Sequence, residues 1–462
     1  MKKIFAICLA AVMVMSMVTG CGSKTSAPAE AEAPKIEEKA EATEIAEAAP
    51  ADATTEEGSG EVAEILFWTM MFGSADLYEP TVQKLVDQFN EEHPDIHVNV
   101  QFHTWANYYQ EYLTSITSGN APDVSDGYFT MACDYARMGE ILDLSSIVDE
   151  WKESGFIDEF PAGSLELHTF EGKQVGIPWN SDPREIIYNK EIFEQAGITE
   201  LPTNWEEFKE VCRTIKEKTD VIPVAFGGGC NFNDAETRML LFGNNAGITD
   251  KDGNATFDSV EVQETLKFYG DLLDEGLMDP GSAGYQNTDV AQMFANGKVA
   301  IAFHNTDTSL MTDDFIEKVG VMPNLSAKAG QEARGLTYCN PMEAFSQTKY
   351  PEQCKTFIKW YVEHSLPLFT EGGVTTFPVL KSQLADAYYS DNPFLKQVID
   401  NVLPTAATAS WPYEGIPASY GQVEGEGYVG LACQEVLAGG RDYEAIANKY
   451  NEQIAAAIAE AE

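Results

Sequence analysis

The chain has 462 residues, 44% hydrophobic and 22% charged, with 74 acidic against 29 basic side chains and a formal net charge of −45. So acidic a surface argues against nucleic acid and against adhesion to anionic lipid, and favours a soluble monomer. It also points toward a cationic ligand, although acidity more often serves solubility alone, and the length exceeds what one core usually serves.

Lys2 and Lys3 precede an apolar run from Ile4 to Val18 that is too short to span a bilayer comfortably as a mature helix. Residues 1–20 therefore read as a secretory signal. Val18-Thr19-Gly20-Cys21 resembles a bacterial lipobox. That resemblance implies cleavage before Cys21, a diacylglycerol thioether on its sulfur and acylation of the new amino terminus. The plain alternative is an ordinary export signal with a coincidental cysteine. Two or more acyl chains would anchor the protein stably on the outer face of the membrane. From Gly22 to Gly60 the chain is mostly Ala, Glu, Pro and Thr, with ten acidic and three basic residues. Residues 21–60 therefore read as a lipidated cysteine on a disordered acidic tether, and Pro28, Pro34 and Pro50 interrupt any Ala/Glu helix. Two signal lysines and the tether's −7 leave −40 on the body from residue 61 onward.

The body alternates strands and helices. Ala63–Trp68 reads as a strand, Leu77–Glu92 as an amphipathic helix, Ile96–Phe102 as a second strand and Trp105–Ser118 as a second helix ended by Gly119. Asn120-Ala121-Pro122-Asp123-Val124 is a turn feeding a third strand, with Asp123 placed to bond nearby backbone amides. This β-α-β-α-β rhythm predicts an α/β fold of mostly parallel sheets flanked by helices, with ligands outside the carboxyl ends of strands. Asn204 before Trp205-Glu206-Glu207-Phe208 reads as a helix N-cap with Glu207 completing a capping box. Six cysteines remain in the body: Cys133, Cys212, Cys230, Cys339, Cys354 and Cys433. An even count in an exported protein allows three bridges, but Cys212 and Cys354 fall at apolar helical positions, which favours buried free thiols. No His/Cys cluster suggests a metal site, and no cofactor is implied.

Several segments, in order, resemble the extracellular solute-binding proteins of bacterial ABC importers, the family that includes maltose-binding protein. Phe89-Asn90-Glu91-Glu92-His93-Pro94-Asp95-Ile96 closes its opening strand and helix, and Ser118–Val124 resembles its S-G-x-x-P-D-V turn. Gly139–Leu144 is similar to G-x-L-x-x-L, and Gly172-Lys173-Gln174-Val175-Gly176-Ile177-Pro178 to G-K-x-Y-G-I-P. Tyr188-Asn189-Lys190 with Ala196-Gly197-Ile198 matches YNK-x-x-F-x-x-A-G-I, and Pro202–Phe208 is near P-x-T-W-x-E-F. Phe294–Ala302 and Ala438–Ala447 resemble the family's F-x-x-G-K-V-A-M and its last turn and helix. The resemblance implies a two-lobe periplasmic-binding-protein-like fold of type II with a ligand cleft between lobes. Its layout implies lobe 1 over 61–184, lobe 2 over 185–335, a return to lobe 1 over 336–375, and lobe 2 with C-terminal helices over 376–462. Crossing strands are expected near Asn180–Ile187, Gly335–Asn340 and Gly372–Pro378.

A sugar between two lobes needs flat apolar faces and convergent polar groups, and loops supply the candidates. They are Trp68 and Asp76 after the first strand, Asp126 and Tyr128 after the third, and Trp179, Asn180 and Arg184 at the expected first crossover. Asn231 and Phe232 follow the glycine run 227–229, which lacks the Lys-Ser/Thr of a phosphate loop and reads as a plain turn. His304, Asn305 and Asp307 stand where the family often carries a Gly-Trp pair, and Trp411 and Tyr413 lie in a late loop. Trp151, Trp205 and Trp360 sit in helical patterns and read as core. Trp179→Ala or Trp411→Ala is expected to weaken ligand binding while leaving the fold intact.

The resemblance implies capture of a carbohydrate, an oligosaccharide by the number of loop aromatics, by lobe closure and delivery to separately encoded ABC permease subunits. A polyamine or other cationic solute on the same fold is the alternative the acidity raises. A secreted glycoside hydrolase is the enzyme alternative, but acidic residues are so abundant that a carboxylate pair at hydrolase spacing carries no weight, and no catalytic signature is present. An adhesive module lacks its repeats.

Overall fold

The computed structural model describes residues 62–105, 108–229, 233–304 and 312–461. Residues 60–462 form one compact unit, and it contains both main sheets. Residues 1–61, which hold the expected signal, Cys21 and the expected tether, and Cys230 lie outside the described residues.

The opening follows the hydrophobic pattern. Strand β1 (Ala63–Met70), helix α1 (Ala75–Glu92), β2 (Ile96–His103), α2 (Tyr108–Thr117) and β3 (Val124–Asp126) come in the expected order. β2 and β3 each pair parallel with β1, so all three strands end at one edge. Asp123 does more than shape its own turn: its carboxylate accepts from the Leu66 amide at 2.8 Å and from Thr348 Oγ1 at 2.5 Å, tying the turn to β1. Helices α3 (Met131–Arg137) and α4 (Ser145–Ser154) lead to a small hairpin of β4 (Thr169–Phe170) and β5 (Lys173–Gln174).

β6 (Ile177–Pro183) then joins the first sheet and passes through Arg184 into β7 (Glu185–Asn189) of the second. Asn189 caps α5 (Lys190–Ala196) through the Glu191 and Ile192 amides, and Gly197, at φ 74°, ends it in the left-handed conformation a glycine adopts freely. In α6 (Trp205–Lys218) Asn204 accepts from the Glu206 and Glu207 amides. Glu207 reaches one residue further back than a capping box requires, accepting from the Thr203 amide at 2.8 Å. β8 (Ile222–Ala225), α7 (Asn233–Gly243), α8 (Val260–Asp274), α9 (Asn287–Ala295), β9 (Val299–His304) and β10 (Val319–Val321) complete the second lobe, whose sheet order is β10-β7-β9-β8.

β11 (Gly335–Ala344) returns to the first sheet, whose order is β12-β6-β11-β3-β1-β2, with β12 at Phe377–Pro378 and β13 at Ala406–Thr408 paired to β11. β1–β3 and β8–β9 run parallel as the alternation predicts, but the crossing strands add antiparallel pairs, so both sheets are mixed. The third crossing also differs from expectation. Phe377 and Pro378 pair with Ser181 and Asn180, and Val379 donates to the Trp179 carbonyl, so 372–378 stay on the first sheet. The chain holds to that lobe until Ser390, and helix Pro393–Asn401 then bonds β10 through Gln397 and Asn401. The third crossing thus falls between Ser390 and Pro393, and β13 runs parallel to Gly335–Thr337 of β11.

Apolar faces close on two large cores. In the first lobe Phe67 meets Phe357 and Tyr361, and Phe89 meets Phe357, edge to face at 5.0–5.3 Å. In the second, Trp205 stacks on Phe268 at 4.6 Å, and Cys212 and Ile215 lie beneath it. Trp151, Trp205 and Trp360 are all buried, and Cys133, Cys212, Cys339 and Cys354 are buried free thiols. Among the described residues no helix is long and apolar enough to cross a membrane.

Candidate functional site

Because β1, β2 and β3 are parallel, the segments after Met70, His103 and Asp126 emerge side by side, and their aromatics form a continuous band. Phe72 meets Trp105 at 5.1 Å, Trp105 meets Tyr108 at 5.5 Å, Tyr108 meets Tyr128 at 6.5 Å, and Tyr128 meets Tyr338 of the crossing strand β11 at 6.2 Å. Trp105 is 38% exposed and its ring nitrogen donates to the Met71 carbonyl at 2.8 Å, which fixes the ring plane.

At the Tyr128–Tyr338 end of the band lies a buried charged cluster. Arg184 pairs with Asp182 at 2.7 Å and lies 4.9 Å over the Tyr338 ring. Arg238 pairs with Asp234 at 2.5 Å, donates to the Ala409 carbonyl at 3.1 Å and lies 4.8 Å over Tyr420. Glu424, on the short helix Tyr420–Gly425, accepts from the Tyr128 hydroxyl at 2.7 Å and so links the lobes. Arg137 of α3 makes a second link, donating to the Ile416 carbonyl. Burial raises the Glu424 carboxyl to about 7 and Glu236 to about 8, against the lowering pull of Arg238 on the first and Arg184 on the second. Glu185, wholly buried beside Arg184, is raised as well.

The structure brings Tyr128 and Arg184 into this region and puts the other described candidates elsewhere. Trp179 and Asn180 are not in a loop: they lie inside β6, between β11 and β12, and are wholly buried. Trp179 packs against Phe72 and Phe369, and Asn180 accepts from Asn340 at 2.9 Å. Trp68 is buried between His103 and Tyr112. Asp126 spends its carboxylate on the Met70 amide and Thr69 hydroxyl, both at 2.7 Å, bracing β3 to β1. Asp76 is exposed in the first turn of α1, where a carboxylate complements the helix dipole. Trp411 packs under Arg334 and against Phe242, and Tyr413 lies against Gly253, both away from the band. Asn231, Phe232, Asn305 and Asp307 lie outside the described residues, as does the side chain of His304 at the end of β9. Gly228 and Gly229 donate to the Ser282 and Tyr285 carbonyls, so this turn's amides are consumed by packing, not offered to a phosphate.

Sequence reasoning missed Trp105, Tyr108, Tyr338, Arg238, Glu236 and Glu424. Trp105 had a usable signal, an aromatic directly after a strand's carboxyl end. The rest sit in helical or strand patterns that tertiary packing alone turns toward the cleft.

A family model described as bacterial extracellular solute-binding protein matches residues 75–365. The diacetylchitobiose-binding protein of Streptomyces coelicolor is 29% identical over 235 residues, which are 48% of this chain and 51% of that protein. The matched stretch thus spans about half the length of such curated relatives. Among solved structures, a sugar transporter from Arthrobacter chlorophenolicus with bound laminaribiose has a TM-score of 0.71 at 21% identity, covering 85% of this chain and 99% of that one. The sugar-binding MalE of Xanthomonas citri has a TM-score of 0.73 at 17% identity, covering 86% and 98%. These structures share the two-lobe fold.

Proposed function

Because this chain belongs to the bacterial extracellular solute-binding proteins, we propose that it captures a carbohydrate between its lobes and hands it unaltered to the permease subunits of an ABC importer. The family is one of binding proteins, not enzymes. The aromatic band Phe72–Trp105–Tyr108–Tyr128, ending at buried carboxylates and guanidiniums, carries the reading. Ring faces stack on sugar rings, and the polar groups take hydroxyls. A run of rings supports an oligosaccharide over a single sugar. Relatives named for diacetylchitobiose and arabinooligosaccharide binding support the same class.

The chain works by hinge bending on Arg184, the start of β11 and the link between Ser390 and Pro393. Ligand that touches both lobes favours the closed form only by as much as it binds that form better. Tyr128 and Glu424 meet across the lobes and are the pair a ligand would engage or replace. The lipobox supports a lipid anchor at Cys21 on the outer face of the membrane, with the acidic tether giving the body reach. Micromolar capture corresponds to roughly −8 kcal/mol. Thermal-shift screening against neutral, acidic and amino sugars tests the reading, with saccharides recovered and weighed by mass spectrometry. A sugar at about 100 times its Kd should stabilise by about 2.7 kcal/mol and come back intact. Cleavage of the sugar, or no stabilisation by any, counts against it.

A further inference from the structure

Three contacts cross between the lobes around one carboxyl. The Tyr128 hydroxyl donates to Glu424 Oε1 at 2.7 Å, and Phe129 meets Tyr420 edge to face at 5.0 Å. Arg137, paired with Asp134 at 2.9 Å, donates to the Ile416 carbonyl. Glu424 is half-buried among them. Of the described residues, Tyr128 and Tyr108 of the first lobe, Tyr338 and Arg184 of the crossing segments, and Arg238 and Asp234 of α7 face it. Both arginines are already paired, Arg184 with Asp182 and Arg238 with Asp234. Closing the lobes therefore takes this carboxyl from cleft water into an enclosure whose two cations are engaged with other carboxylates. Opening breaks all three contacts and returns it to water.

Enclosure away from water favours the neutral form of a carboxyl, and water favours the ionised form. A group whose preferred form differs between two conformations ties their equilibrium to pH. Resting on the lobe-closing reading above, we propose that capture is proton-coupled: Glu424 takes a proton from solvent as the lobes close on ligand and returns it as they part. The proton adds to the second carboxyl oxygen, so Tyr128 goes on donating to Oε1 and no covalent bond between heavy atoms changes. Tyr128–Glu424 is thereby a latch that holds best in acid. Burial raises the closed carboxyl to about 7, above its ordinary value in water. A raised value in the closed form means that the proton's contribution is complete below the open value and is lost as pH rises through the closed one. The grip on a ligand therefore loosens between about pH 5 and pH 7.

The test compares the full chain with Glu424→Gln, whose amide oxygen still accepts from Tyr128 but cannot titrate. Titration calorimetry with laminaribiose, maltotriose and diacetylchitobiose, all uncharged in this range, gives Kd at about pH 5.5, 6.5 and 8. Small-angle scattering without saccharide gives the radius of gyration under the same conditions. For wild type, the Kd of any saccharide that binds should rise about 7-fold from the first pH to the second and about 30-fold by the third. The saccharide-free radius should grow over the same range. Glu424→Gln should keep the tighter Kd and the smaller radius throughout. A wild-type Kd and radius that both ignore pH overturn the proposal, as does a pH response that Glu424→Gln leaves unchanged, and capture by closing lobes survives either result. If no saccharide binds, the carbohydrate reading falls and the radius decides: a pH response lost in Glu424→Gln upholds the latch, and a flat one overturns it.

Discussion

Phe72 touches two tryptophans whose fates differ. Trp105 is 38% exposed within the aromatic band, between Phe72 and Tyr108, whereas Trp179 has no exposed surface and packs in the core against Phe72 and Phe369. Trp105→Ala should therefore raise the Kd for the sugar by roughly 10- to 100-fold, about 1.4–2.7 kcal/mol, with Tm unchanged in the same preparation. Trp179→Ala should instead cost about 3–5 kcal/mol in denaturant unfolding, because it leaves a cavity the core cannot close. The sequence suggests the opposite for Trp179, since Asn180, Ser181 and Asp182 look like a polar loop. β6 is in fact an inner strand whose polar side chains are answered one by one, by Asn340, Thr337 and Arg184. The pairing of Asn180 and Ser181 with Asn340 and Thr337, far along the chain, has no local signature. The carboxyls at the lobe junction make a second residue-scale prediction. An acid whose folded value is raised keeps its proton where the unfolded chain has lost it, so stability is lost as pH rises toward the folded value. With Asp126 and Glu424 near 7 and Glu236 near 8, the Tm of the empty protein should fall between about pH 5 and pH 8. Glu236→Gln should flatten the upper part of that decline in a thermal-shift series. A Tm that climbs over this range would show that the junction carboxyls are solvated.

At the scale of elements, local chemistry was readable wherever it was local. Asn204 caps α6, and Asn189 and Gly197 bound α5, as their residue types suggest. Asn204→Ala should cost about 1 kcal/mol of unfolding free energy and leave sugar affinity unchanged, because this cap lies on the second lobe away from the band. Equal losses in stability and affinity would mean that α6 communicates with the cleft. Crossing strands were harder. β6 and β11 overlap the expected segments Asn180–Ile187 and Gly335–Asn340 without matching their bounds, and β13, which pairs with β11, is only Ala-Ala-Thr, too short and too plain to show alternation. The segment Gly372–Pro378, expected as a crossing from the family's layout, opens instead on a tight turn: a Cβ on Gly372 would lie 2.6 Å from the Leu368 carbonyl oxygen, and Gly373 takes φ 67°.

For the whole molecule, parallel strand ends set the aromatic band and the crossing segments would set the proposed hinge, so fold and candidate site share one cause. The order of elements was legible from periodicity and from the family resemblance. The charged face of the cleft was not, because Arg238, Glu236 and Glu424 converge from α7 and from a helix near residue 420, far apart in sequence. The lobes meet here through Tyr128–Glu424 and Arg137–Ile416, contacts that the proposed hinge motion must break. Small-angle scattering of the full chain, at about pH 7.5 where the junction carboxyls oppose empty closure, measures that motion directly. Addition of the tightest-binding saccharide should lower the radius of gyration while the saccharide is recovered whole. A radius that does not change on saturation would contradict capture by closing lobes.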